Sequence, residues 1–103
     1  MSDVAVNSSA EAGIGTLKRS LAIANKRGLH ARAAAKFVRT AGQFDAIVRV
    51  SFKGQEVSGL SIMGLMMLAA GQGSKLRFSV RGKDAVALLG EMEALFARKF
   101  DES

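Results

Sequence analysis

Leu17, Leu21 and Ile23 fall on one parity and Lys18 and Ser20 on the other, so Leu17 to Ala24 predicts a half-buried strand. Asn25-Lys-Arg-Gly28 then predicts a turn. From His30 to Ala41 the period changes: Ala34, Phe37, Val38 and Ala41 make a helical stripe, and Gly42 is its stop. Ala46, Val48, Val50 and Phe52 alternate with Ile47, Arg49, Ser51 and Lys53 as a second strand. Lys53-Gly54-Gln55 turns the chain into a short third strand around Glu56 and Val57. Within Ser58 to Ala70, the uncharged run from Ile62 to Ala70 predicts a short helix. Gly71 or Gly73 would end it, and Leu65, Leu68 and Ala69 would face the core. Leu76, Phe78 and Val80, alternating with Lys75, Arg77, Ser79 and Arg81, give the clearest strand. From Asp84 to Phe100, Ala85, Leu88, Leu89, Met92, Leu95 and Phe96 form the stripe of a last helix. The order β-α-β-β-α-β-α predicts an α+β fold, an antiparallel sheet with helices on one face and solvent on the other.

Composition narrows the chemistry. At 103 residues the chain is one domain, with residues 1–16, rich in Ser, Ala and Gly and without period, as a flexible arm before a domain over 17–103. Tyr and Trp are absent, so aliphatic residues, Met and six Phe must build the core. Without Cys there is no disulfide or thiolate metal site, and a lone His cannot anchor a multi-histidine site, so neither metal nor cofactor is expected. The start lacks the pattern of a signal peptide, and nothing approaches the roughly 18 consecutive apolar residues of a spanning helix. A soluble, cytoplasmic protein with no membrane partner is the expectation.

Fifteen Lys and Arg against nine Asp and Glu give a formal charge of +6, which steers the chain toward acidic partners. A basic nucleic-acid-binding module is therefore the competing class: Lys18, Arg49, Lys53, Lys75, Arg77 and Arg81 would line one sheet face. RNA readers of this architecture stack bases on aromatics of that same face, whereas Phe52 and Phe78 are in the core phase here. That argues against nucleic acid. A self-contained enzyme lacks support as well: there is no second His, no Cys and no phosphate-binding loop of the P-loop kind.

The single histidine stands in Gly28-Leu-His30-Ala31-Arg32-Ala33-Ala-Ala35-Lys36, where a turn becomes a helix. Ser, Thr, Asp or Asn would normally cap that position. A histidine cation is disfavoured there by about 0.3–1 kcal/mol, because the helix dipole is positive at that end. His30 is thus a poor choice for stability but a good one for carrying an anion. A neutral imidazole is a nucleophile, and a phosphoryl group on it would face the free N–H groups of the first turn. Arg32 can add a charge-assisted bond to the phosphoryl oxygens.

GLHARAAAKFV, followed about thirty residues later by SGLSIMGLMMLAAGQGS, resembles the histidine-containing phosphocarrier (HPr) family of the bacterial phosphoenolpyruvate-dependent phosphotransferase system. The similarity spans about residues 17 to 100. It implies the β-α-β-β-α-β-α open-faced sandwich, a four-stranded antiparallel sheet with three helices on one face. It also implies a monomeric stoichiometric carrier rather than an enzyme, with His30 phosphorylated by enzyme I and Arg32 as the phosphate-stabilising partner. Acceptors would be IIA-type proteins of the sugar or nitrogen branch; the chain leaves the two branches open. The helix after Ser61 would be the docking surface, with Ile62, Met63, Met66, Met67 and Ala70 joined by Ala31, Ala35 and Arg39. Flexible Met side chains suit several partners. In members regulated by HPr kinase/phosphorylase, the serine of the S-I-M-G context is a second phosphorylation site, here Ser61. Ser61 is otherwise an N-cap, a role for which Ser58 competes. One departure stands out: the family usually has Pro where this chain has Ala33, which keeps the helix and restores an N–H donor. Ala33 and the S-I-M-G motif lean toward a divergent, regulatory member with a dedicated kinase.

Overall fold

The computed structural model describes residues 15–102, so the arm expected over residues 1–16 lies outside them but for Gly15 and Thr16. Strands β1 (Leu17–Ala22), β2 (Ile47–Phe52), β3 (Gln55–Ser58) and β4 (Lys75–Arg81) form one sheet in the order β1-β4-β2-β3, each pairing antiparallel. Helices α1 (Ala31–Ala41), α2 (Ile62–Met67) and α3 (Ala85–Ala97) cover one face. This is the open-faced sandwich that the alternating pattern predicts. Val48 sits opposite Val80 and Val50 opposite Phe78, all four buried, while Arg49, Arg77 and Arg81 point to solvent.

A chain of rings fixes the helices to the sheet. Phe37 of α1 stacks on Phe78 of β4 with centroids 5.8 Å apart. Phe78 meets Phe96 of α3 edge-on at 5.5 Å, and Phe96 leans on Phe100 at 4.9 Å. Ala33, Ala34 and Ala41 are buried beside Phe37, and their small side chains let α1 lie close to the layer beneath.

Two helix ends differ from expectation. α2 stops at Met67, ahead of Gly71 and Gly73: Leu68 and Ala69 donate back three residues to Leu65 and Met66, and Ala69 takes a left-handed φ of 54°. The cause is tertiary, since the Ala70 carbonyl is needed to accept the Leu29 N–H at 2.9 Å. Ala70, only 4% exposed, thereby takes the core place assigned to Ala69 and is not available as a docking residue. α3 likewise ends at Ala97. Lys99, Phe100 and Asp101 follow with φ of 57°, 55° and 63°, a left-handed turn without glycine. Lys53 is corrected too: it lies in the β2–β3 turn, its ammonium 5.3 Å from the Phe52 ring centroid, rather than on the basic sheet face. On that face the described residues present Lys18, Arg49, Arg77 and Arg81 but no aromatic ring, Phe78 being buried and Phe52 half-buried on the opposite side.

Candidate functional site

The site begins with a turn that only glycine can complete. Gly28 has φ +71°, and a Cβ there would lie 2.6 Å from the Ala70 carbonyl oxygen. Its N–H bonds the Asn25 carbonyl at 3.2 Å, and buried Leu29 bonds Ala70, so the chain enters α1 along a fixed path. His30 follows in extended conformation as the N-cap.

The imidazole is a working cap, which corrects the expectation of a merely unfavourable one. Nδ1 accepts the Arg32 N–H at 3.2 Å, and the His30 carbonyl accepts the Ala34 N–H at 2.8 Å. Among the described residues, the Ala31 and Ala33 amides have no protein acceptor. The other ring nitrogen, Nε2, meets a Glu102 carboxylate oxygen. A carboxylate only accepts, so Nε2 is the protonated nitrogen and Nδ1 carries the lone pair. Only 15% of the His30 side chain is exposed, so the ring is held with Nδ1 toward the first turn of α1.

Glu102 and Asn25 are site residues that sequence reasoning missed. The second carboxylate oxygen of Glu102 accepts the Asn25 amide at 3.0 Å, and the same amide donates to the Gly28 carbonyl at 2.8 Å. Asn25 is buried at 1% exposure and its Oδ1 has no partner. The tail that delivers Glu102 is anchored by buried Phe100 and by Lys36, whose Nζ donates to the Phe100 carbonyl at 3.0 Å and to Asp101 at 3.2 Å. Arg98 holds the other Asp101 oxygen at 2.9 Å. Burial pushes the Glu102 carboxyl up, but the hydrogen bonds from His30 and Asn25, with the nearby positive charge of Arg27, outweigh it and hold the group below the usual carboxylate range. The Lys36 hydrogen bond and the Arg98 charge likewise hold Asp101 low against a smaller effect of burial. Exposed Arg32 lines an open cleft beside this tail with Lys26, Arg27, Asp101 and Glu102. No cluster of three His, Cys, Asp or Glu suited to a metal occurs among the described residues.

Ser61 resolves the capping question. Its Oγ accepts the Gly64 N–H at 2.9 Å and caps α2, while Ser58 Oγ accepts the Leu60 N–H at 3.1 Å in the turn before it. Leu65 is the buried residue of α2. Met63 and Met67 are 68% and 72% exposed, Ile62 and Met66 39% each, and Leu60 adjoins them at 57%. Ala31 and Arg39 on α1 are exposed and Ala35 is half-buried.

An open-faced sandwich with a histidine capping its first helix defines a known class. The family model described as "PTS HPr component phosphorylation site" matches residues 17–98. The phosphocarrier protein HPr of Xylella fastidiosa is 43% identical over 84% of this chain and 97% of its own length. Phosphocarrier protein NPr of Shewanella violacea is 41% identical over 84% and 96%. A crystal structure of HPr from Thermoanaerobacter tengcongensis superposes with a TM-score of 0.80 at 37% identity, covering 84% of this chain and 98% of that one. The chain belongs to the HPr family of the phosphotransferase system, whose members carry phosphoryl groups rather than turn over a substrate. No helix is long and apolar enough to cross a membrane among the described residues.

Proposed function

We propose that His30 accepts a phosphoryl group from enzyme I on Nδ1 and passes it to a IIA-type protein. The observation that carries this reading is the Nδ1 lone pair at the N-terminus of α1, beside the Ala31 and Ala33 amides that have no acceptor among the described residues. The Arg32 amide bond to Nδ1 is long and exposed, so it yields readily, and that N–H is then free for the phosphoryl oxygens. The Arg32 guanidinium adds charge-assisted bonds to the same oxygens. Partners dock on the exposed apolar surface of Ile62, Met63, Met66 and Met67, continued on α1 by Ala31, Ala35 and Arg39.

Ser61 is the second modification site in this reading, the target of an HPr kinase/phosphorylase. It stands between exposed Leu60 and Ile62, so a phosphate there puts negative charge into the docking surface. The member is of the regulatory type, with nitrogen-branch acceptors, which its similarity to an NPr protein favours.

The test is incubation with enzyme I and labelled phosphoenolpyruvate. One acid-labile, base-stable phosphate per chain is expected, abolished in His30→Ala and slowed in Arg32→Ala. A label that persists in His30→Ala overturns the assignment. With ATP and an HPr kinase, an acid-stable phosphate lost in Ser61→Ala establishes the second site.

A further inference from the structure

The sheet face turned away from the helices carries a regular pattern that phosphoryl transfer at His30 does not use. We propose that this face binds a linear oligophosphate, read through its phosphate groups alone. The site is independent of His30 and lies on the far side of the sheet from it.

Residues paired across antiparallel strands share a face, so the register fixes the pattern. One row runs Lys18, Ser79, Arg49 across β1, β4 and β2, and the next runs Ser20, Arg77, Ser51. Each cation faces a serine across the ladder, never another cation and never an acid; Arg49 has Ser58 on its other side. A face tuned only for stability would set acids there, because opposite charges stabilise a cross-strand pair. Serine forgoes that gain and supplies a short hydroxyl donor. Among the described residues Glu56 is the acid of this face, on the outer strand β3, where it meets Arg49 at 3.4 Å. Lys18 and Arg77 take part in no ion pair among the described residues.

Lys18, Ser20, Arg49 and Arg77 are exposed, while Ser51 and Ser79 are half-buried. The cations therefore stand over a floor of hydroxyls, around a shallow depression of about 500 Å³ lined by Lys18, Ser20, Ser51, Arg77 and Ser79. Guanidinium and ammonium groups beside hydroxyl donors suit phosphate oxygens. From the usual strand spacings the block spans about 10 Å across the strands and about 7 Å along them. That is room for a few linked phosphates. A membrane would rest on the tips of the long cations and leave the half-buried hydroxyls unreached, whereas a slim phosphate chain can lie between them. The face has no aromatic ring on which bases could stack, so a nucleic acid would gain nothing there beyond its phosphates.

The test follows the amide 1H–15N shifts of the full chain as sodium tripolyphosphate is added at about 0.1 M salt, where distant surface charges are screened. Shifts should concentrate at residues 18–20, 49–51 and 77–79, and orthophosphate at equal phosphate concentration should move them far less. Arg77→Gln should weaken this binding on the order of tenfold or more, the worth of a charge-assisted hydrogen bond. Lys18→Gln should weaken it at the same resonances. Lys99→Gln removes an equal charge after α3, on the helix side, and should change the affinity by less than about twofold. The dispersion of each spectrum reports whether the variant is folded. Equal losses in Arg77→Gln and Lys99→Gln would mean net charge alone, and an equal response to orthophosphate would mean a general ionic effect. Those outcomes overturn the proposal, as do shifts confined to residues 28–34 or no shifts at all. Tighter binding of oligothymidylate, or of phosphatidylglycerol vesicles, at equal phosphate concentration overturns it too, since the face would then serve a nucleic acid or a membrane.

Discussion

Ser61 offers a substitution pair that separates a structural from a docking role at one atom. Its Oγ accepts the Gly64 N–H at 2.9 Å, satisfying an otherwise free donor of α2. Ser61→Ala removes that acceptor and should cost about 1 kcal/mol. For a domain of this size the corresponding fall in Tm is about 4–8 °C. Ser61→Asp restores an acceptor and places negative charge at the helix start, so it should keep Tm within about 2 °C of the wild type. The same charge lies between exposed Leu60 and Ile62, so Ser61→Asp should transfer phosphate from enzyme I markedly more slowly, whereas Ser61→Ala should transfer normally below its melting range. Thermal unfolding by circular dichroism and initial labelling rates at 25 °C read the two effects independently. A Ser61→Ala variant that melts with the wild type would refute the cap, and a Ser61→Asp variant that docks and transfers normally would refute the surface.

Met63→Asp and Met67→Asp change side chains that are mostly exposed, so unfolding free energies should move by no more than about 0.5 kcal/mol while partner titrations weaken; a large loss of stability would mean that α2 is packed as core. Phe100→Ala empties a fully buried position against Phe96 and should cost about 3–5 kcal/mol in urea unfolding, and a cost under 1 kcal/mol would show that the tail is not anchored there. The Glu102 carboxyl is held low in the folded chain, so its contribution is complete above the usual carboxylate range and is lost as pH falls through the depressed folded value. The stability gap between wild type and Glu102→Gln should accordingly be present at pH 7 and shrink as pH falls below the usual carboxylate range, as melting curves across that range would show.

Where sequence and structure agree, local chemistry decides the outcome. Val48, Val50, Leu76, Phe78 and Val80 leave their strands no second way to face the core, and Gly28 followed by a helical stripe places His30 at a helix start. The end of α2 was hidden because Ile62 to Ala70 carries no polar stop, and a hydrogen bond from distant Leu29 supplies it. Glu102 was hidden for a similar reason. It lies 72 residues from His30 and reaches it through three left-handed residues that no glycine announces. Asn25 reads as an ordinary turn residue, and only its burial reveals that it bridges the Gly28 turn and the tail.

The bare outer face of the sheet has a practical use. Ser20 stands there on an edge strand, exposed and opposite Arg77, with the whole sheet between it and the helix layer that carries His30 and Ser61. Because the chain contains no cysteine, Ser20→Cys would create a unique thiol. A dye or a sensor-chip tether attached through it would leave the His30 and Ser61 side unobstructed, so proteins that bind the helix layer could be captured and weighed in their native encounter.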